Sequence, residues 1–189
     1  METNQEVRVN EIIRNHSIDG CVYTAYSLDN QAMLYIKEIT DADILANVSD
    51  EERQAVEFLF KHYKSNQDKL NAHLEVIYKD ILMKLSNDYI IYVDELGNTS
   101  KYKAQFKRNC YVNIQHPITK KQMNINKLIA HLKGGFLVSV NEGMDYVGDH
   151  IDQNKCNNSF DNIRLITPSD NAKNKGNKYV FIRVFEGLM

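Results

Sequence analysis

Apolar residues recur at helical spacing over two stretches of the first half of the chain. Ser49-Asp50-Glu51-Glu52 carries the hydroxyl-to-acid spacing of a capping box. The run it opens, about 50–64, puts Val56, Leu59, Phe60 and Tyr63 on one stripe. Ser65-Asn66 interrupts the run, and over about 67–87 Leu70, His73-Leu74, Ile77, Ile81-Leu82 and Leu85 repeat with the same period. The pattern predicts two helices with a short link, an antiparallel hairpin. Ahead of them, residues 1–17 are polar around Ile12-Ile13 and read as a short helix. Cys21–Tyr26 reads as a strand. Ala32–Val48, where Asp41 and Asp43 sit among apolar residues, reads as a helix.

The period changes at Tyr89. Ile90–Val93 predicts a strand, Asp94–Asn98 a turn, and Lys101–Lys107 a half-exposed strand in which basic residues alternate with others. Tyr111–Ile114 and Gln122–Ile125 predict two more strands around a His116-Pro117 turn. Asn126–Lys133 predicts a short helix stopped by Gly134-Gly135. The tail from Tyr179 to Phe185 reads as a strand returning to the sheet. The expected fold class is α+β, with a helical N-terminal half and a β-rich C-terminal half.

Residues 145–175 are organised more tightly than the rest. Tyr146–Ile151 suits a short strand, the Asn-rich stretch after Asp152 a polar loop, and Asn162–Ile166 a returning strand. Thr167-Pro168-Ser169-Asp170 then opens a helix, with a hydroxyl cap, proline at the first helical position and an acid three residues after the cap. A hairpin packed on that helix brings together Asp149, His150, Asn162 and Asn171. Asp149 and Asn171 offer the oxygen ligands a hard cation such as Mg²⁺ prefers. The ordinary pKa of an imidazole, roughly 6.5, lets His150 take a proton from water near neutral pH. The carboxamide oxygen of Asn162 can hold the second ring nitrogen.

Composition narrows the classes. The chain has 189 residues, 43% hydrophobic and 25% charged, as globular proteins do. No apolar run approaches the roughly 18 residues of a membrane span, and the acidic, polar N-terminus is not a secretory signal. A cytoplasmic location is expected. Cys21, Cys110 and Cys156 are widely separated and make no Cys-x-x-Cys pair, so no structural zinc is expected.

The net charge of −2 conceals an asymmetry. Residues 1–88 hold nine Lys or Arg against sixteen Asp or Glu, and residues 89–189 hold fourteen against nine. Between Leu96 and Asn141 there is no acid, while Lys101, Lys103, Lys107, Arg108, Lys120, Lys121, Lys127 and Lys133 are basic. A stretch of one sign this long suggests a polyanion partner. Lys173, Lys175 and Lys178, after the Asn171 position, are placed to hold phosphates. Two regions follow from the charge: 1–88, helical and partner-binding, self-associating or regulatory, and 89–189, basic and DNA-binding.

Asp149-His150-Ile-Asp-Gln-Asn-Lys-Cys-Asn-Asn, then Asp161-Asn162-Ile-Arg, then Thr167-Pro168-Ser-Asp-Asn171, resembles the HNH endonuclease family, most nearly its phage-type homing branch with the ββα-metal site. His150 to Asn162 is 12 positions and Asn162 to Asn171 is 9, spacings that fit the family. The resemblance covers 145–175 closely and 109–135 loosely. It implies that Asp149 and Asn171 bind Mg²⁺ or another divalent cation such as Mn²⁺, that His150 activates water, and that Asn162 orients His150. It implies double-stranded DNA as substrate, with cytoplasm of the host as the setting if the protein is phage-encoded. The chain departs from the family in the turn after His-x-Asp, where Gln153 stands in place of the usual glycine. The alternative is a nuclease-derived module that binds DNA or protein without cutting.

Overall fold

The computed structural model describes residues 6–62, 72–106, 111–138, 146–153, 155 and 157–173. The chain is mixed α and β. Strands β1 (Val9–Ile18), β2 (Cys21–Leu28) and β3 (Met33–Lys37) are followed by helices α1 (Asp41–Leu45), α2 (Asp50–His62) and α3 (Ala72–Leu85). Strands β4 (Ile90–Val93) and β5 (Thr99–Tyr102) then complete a five-stranded sheet of order β1-β2-β3-β4-β5. Strands β6 (Gln105–Phe106), β7 (Val112–Gln115) and β8 (Gln122–Asn124) form a three-stranded sheet. Helix α4 (Ile125–Lys133) comes next, then β9 (Val147–His150), a 3₁₀ turn (Phe160–Asn162), β10 (Ile163–Ile166) and α5 (Pro168–Lys173). Every pairing among the described strands is antiparallel.

The turns follow from their residues. Asp19-Gly20 joins β1 to β2 with both residues at positive φ, 50° and 80°, the two-residue hairpin geometry that Asp-Gly supports. Between β4 and β5, Asp94 accepts backbone hydrogen bonds from Leu96 and Asn98 through Oδ1, at 3.0 and 2.8 Å. Gly97 there has φ +84°.

Two N-terminal expectations are corrected. The segment expected as a short helix around Ile12-Ile13 is strand β1. It lies at a sheet edge with most positions exposed, so its sequence shows neither a helical nor a strand period. Residues 32–48, expected as one helix, hold two elements. In β3, Leu34 and Ile36 point into the core while their neighbours are half-buried. Thr40 then caps the short α1 reciprocally with Asp43. The N-terminal half is therefore strand and helix, not helical. The later elements fall near their expected places. The half-exposed strand expected over 101–107 is divided between β5 and β6. The 65–66 link and the strand expected over 179–185 lie outside the described residues.

Charge divides the chain at residue 88, but the structure is not divided there. β3 pairs with β4 from Met33↔Val93 to Ile36↔Ile90, across that boundary. One core runs from Val7, Tyr26, Leu28 and Leu34 through Ile90 and Ile114 to Ile125, Leu128, Leu132 and Ile163. Each fully buried aliphatic side chain of this kind contributes about 1.5–3 kcal/mol. The segment before β1 lies along the exit of α4: Leu137 N–H donates to the Val7 carbonyl at 2.9 Å, and Val9 N–H to the Gly135 carbonyl at 3.0 Å. Among the described residues, no helix is long and apolar enough to cross a membrane.

A buried histidine staples the β7–β8 turn. The Nδ1 of His116 accepts from the N–H groups of Ile118 and Thr119, at 3.1 and 3.0 Å. Its Nε2 lies 3.1 Å from the Leu137 carbonyl, to which it donates. Burial holds the pKa of His116 below its ordinary 6.5; the Leu137 carbonyl opposes this and Lys120 assists it.

Two outcomes follow. A fragment of residues 89–189 is expected to show no cooperative thermal transition by circular dichroism, because β4 loses β3 and the core loses its N-terminal members; a sharp melt would contradict the shared core. The unfolded chain binds a proton at residue 116 near pH 6.5, but the folded chain binds it only at lower pH. His116 therefore stabilises fully above pH 6.5, and its contribution is lost as pH falls from there towards the depressed folded value. Tm should drop on acidification from pH 7 to 5, and less steeply in His116→Asn.

Candidate active site on the β9–β10 hairpin

Strands β9 and β10 pair so that Asp149 lies opposite Arg164 and His150 opposite Ile163. Helix α4 supports both strands. The Nδ2 of Asn126 donates to the Gly148 carbonyl at 2.8 Å, and the Nζ of Lys133 donates to the Ile163 carbonyl at 2.5 Å. Gly148 is required here. A Cβ at this position would overlap the backbone carbonyl of Asn126 and come 3.1 Å from the Ala130 Cβ.

The loop between the strands closes on Asn162. Its Oδ1 accepts from Asp152 N–H at 3.0 Å, while its Nδ2 donates to Asp152 Oδ1 at 2.9 Å and to the Asn157 carbonyl at 2.7 Å. Its own carbonyl accepts from Ile151 N–H at 2.8 Å. Asn157 reaches back to Asp152 Oδ2 at 2.7 Å. Gln153 sits in the left-handed region at φ +65°, so the turn keeps a conformation that glycine adopts with less strain. Opposite, Arg14 forks onto both carboxylate oxygens of Asp161, at 2.9 and 2.6 Å, and lies 5.2 Å from the Phe160 ring centroid. An irregularity in β1 between Ile13 and His16 accompanies this reach, as bulges commonly re-aim a side chain.

His150 is 3% exposed. Its Nε2 lies 2.9 Å from Asn158 Oδ1, and Asn158 Nδ2 donates to the Lys155 carbonyl at 3.3 Å. The Tyr111 ring packs 6.2 Å from the imidazole, and the Lys155 ammonium sits 4.5 Å from the Tyr111 centroid, a cation–π contact. Burial lowers the His150 pKa below 6.5. The Asn158 bond, Asp152 and Asp149 act upward, and Lys155 downward. The ring is therefore neutral at neutral pH, the state that accepts a proton.

Asp149 is 6% exposed, and its Oδ2 receives the Arg164 Nε at 2.8 Å. Asn171 is half-buried in α5, which packs against β9. The expected cap of α5 is formed: Asp170 N–H donates to Thr167 Oγ1 at 3.2 Å, and that hydroxyl donates to Asp170 Oδ2 at 3.0 Å. Among the described residues no three of His, Cys, Asp and Glu group as an all-protein metal cage would. A cation of the Mg²⁺ type needs less, since it takes one or two protein oxygens and completes its shell with water and phosphate. Asp149 and Asn171, on adjacent packed elements, fit that requirement in donor chemistry.

One expected contact is corrected. The Asn162 carboxamide bonds within the loop, to Asp152 and Asn157, and it is Asn158 whose oxygen meets the imidazole. The reason is reach: Asn162 lies in the 3₁₀ turn facing Asp152, whereas the loop folds Asn158 back under the ring. Asn158, Lys155, Tyr111, Arg164 and Arg14 were not singled out. The signal for Asn158 was the Asn157-Asn158 pair, which reads equally well as turn formers.

The basic residues differ in use. Lys101, Lys103, Lys121, Lys127 and Lys173 are exposed; Lys101 also meets Asp88 at 3.4 Å, and Lys173 meets Asp170 at 3.8 Å. Lys120 is exposed as well but bonds the Tyr102 hydroxyl and the Pro117 carbonyl, both at 2.6 Å, while Lys133 clamps Ile163. Lys107, Arg108, Lys175 and Lys178 lie outside the described residues.

No family model matches the chain, and neither a curated protein nor a solved structure does.

Gly148→Ala should force α4 and β9 apart and destabilise the fold by about 1–3 kcal/mol, as overpacking does. A thermal melt superimposable on the wild type would show that the close approach is dispensable.

Proposed function

We propose that the chain is a divalent-metal-dependent DNA endonuclease of the HNH type, acting in the cytoplasm, with residues 145–175 as a ββα-metal site. The observation that carries this reading is His150: a buried, neutral imidazole, held by a carboxamide at one nitrogen, beside the buried carboxylate of Asp149 and backed by the helix bearing Asn171.

In this reading His150 takes a proton from a water molecule as that water attacks phosphorus in line with the leaving 3′ oxygen. The products carry a 5′ phosphate and a 3′ hydroxyl. General base catalysis of this kind is worth about 10²–10⁴-fold. Asp149 and Asn171 would hold the divalent cation, Mg²⁺ or Mn²⁺, which would supply charge stabilisation at the phosphate and the departing oxygen. Arg164 aims the Asp149 carboxylate through its Nε hydrogen bond to Oδ2. Asn162 closes the loop that carries these groups. The exposed Lys101, Lys103, Lys121, Lys127 and Lys173 contact phosphates, together with Lys107, Arg108, Lys120 and Lys175 of the same basic set, so binding weakens with salt.

The test is nicking of supercoiled plasmid with Mg²⁺ or Mn²⁺, with EDTA as control. His150→Ala is expected to lower the rate by about 10²–10⁴-fold while retaining DNA binding and a cooperative melt. Equal cutting by this variant would overturn the assignment of the base. Wild-type protein that binds DNA in either metal and never nicks it would instead identify a non-cutting DNA-binding module.

A further inference from the structure

We propose that Asn158 is the positioning residue for the imidazole of His150, fixing which ring nitrogen carries the proton. The inference deepens the nuclease reading and rests on it for its catalytic meaning, but not for its structural content. A carboxamide oxygen only accepts, so the nitrogen 2.9 Å from Asn158 Oδ1 must be the protonated one. The orientation of the Asn158 amide is set independently, because its Nδ2 donates to the Lys155 carbonyl. The proton therefore resides on Nε2, and the basic lone pair is on Nδ1.

The surroundings leave this arrangement little freedom. His150 and Asn158 are 3% and 8% exposed, so water does not readily replace the bond. Lys155 acts twice: its carbonyl holds the Asn158 amide, and its ammonium lies over Tyr111, whose ring packs beside the imidazole. Lys155 and Asn158 thus fix the base both in its plane and against a neighbouring ring. Asn162 cannot substitute, since its oxygen and its amide hydrogens are spent on Asp152 and Asn157.

The experiment is ¹⁵N NMR of the histidine rings at neutral pH, paired with steady-state nicking kinetics, on wild type, Asn158→Leu and Asn158→Asp. Wild-type His150 should show a slowly exchanging proton on Nε2. In Asn158→Leu, which has similar volume and no acceptor, that signal should move upfield or vanish through exchange. The kcat for nicking should fall roughly 10- to 100-fold, the usual cost of losing the outer partner of a functional histidine, with KM little changed. Asn158→Asp, which keeps the acceptor oxygen, should recover most of kcat. A proton on Nδ1 in wild type, an unchanged Nε2 proton in Asn158→Leu, or equal losses in both variants would overturn the proposal. The wild-type spectrum decides the point even if Asn158→Leu fails to fold. It also decides it if the protein never cuts DNA, so failure of this inference and failure of the nuclease reading are told apart.

Discussion

The approach of helix α4 to strand β9 is the contact on which the candidate site depends. It is possible because residue 148 has no side chain; the Asn126 carbonyl occupies the space a Cβ would need. Through this contact one helix, whose buried face carries Ile125, Leu128, Ile129 and Leu132 beside the polar Asn126, fixes the strand that ends in Asp149 and His150. The same helix holds β10 by the Lys133 clamp. Its exit is tied to the N-terminal strand, so the hairpin inherits the rigidity of the whole core.

Polar groups then do locally what the core does globally. The loop from 151 to 162 has few apolar residues to bury, and its described residues are tied by side chains that replace a backbone ladder. Asn162 satisfies four hydrogen bonds of the loop at once, counting its own carbonyl. This leaves Asn158 for the imidazole. The division of labour is economical in a buried setting, where each unmet donor or acceptor would cost about 1–3 kcal/mol.

The N-terminal residues, acidic as a group, are structural partners of the basic ones. Charge summed over a segment describes the field that segment presents, whereas folding is decided residue by residue at contacts. Arg14 illustrates the difference: one cation in an acidic region grips Asp161 and covers Phe160, next to Asn162. Core burial across residue 88 outweighs any repulsion or attraction between the two regions, because exposed charges act through water and buried apolar area does not.

Much was legible in the sequence. The cap of α5 at Thr167, the Asp94–Asn98 turn, the strand–loop–strand–helix order of 145–175 and the short α4 ending at its glycines follow from signals within a few residues of each other. Asp149 and His150 end β9, and Asn171 lies on α5, which packs against that strand. The edge strand β1 was not legible, because a strand paired on one side and exposed along most of its length leaves no alternation to read. Nor was the partner of His150: Asn157, Asn158 and Asn162 are chemically alike, and only the path of the loop in space decides which amide reaches the ring. Local propensity is written in adjacent residues. Pairing across β3 and β4, the fit of Gly148 against Asn126 and the choice of Asn158 depend on distances between residues far apart or equivalent in the chain, and those exist only once it has folded.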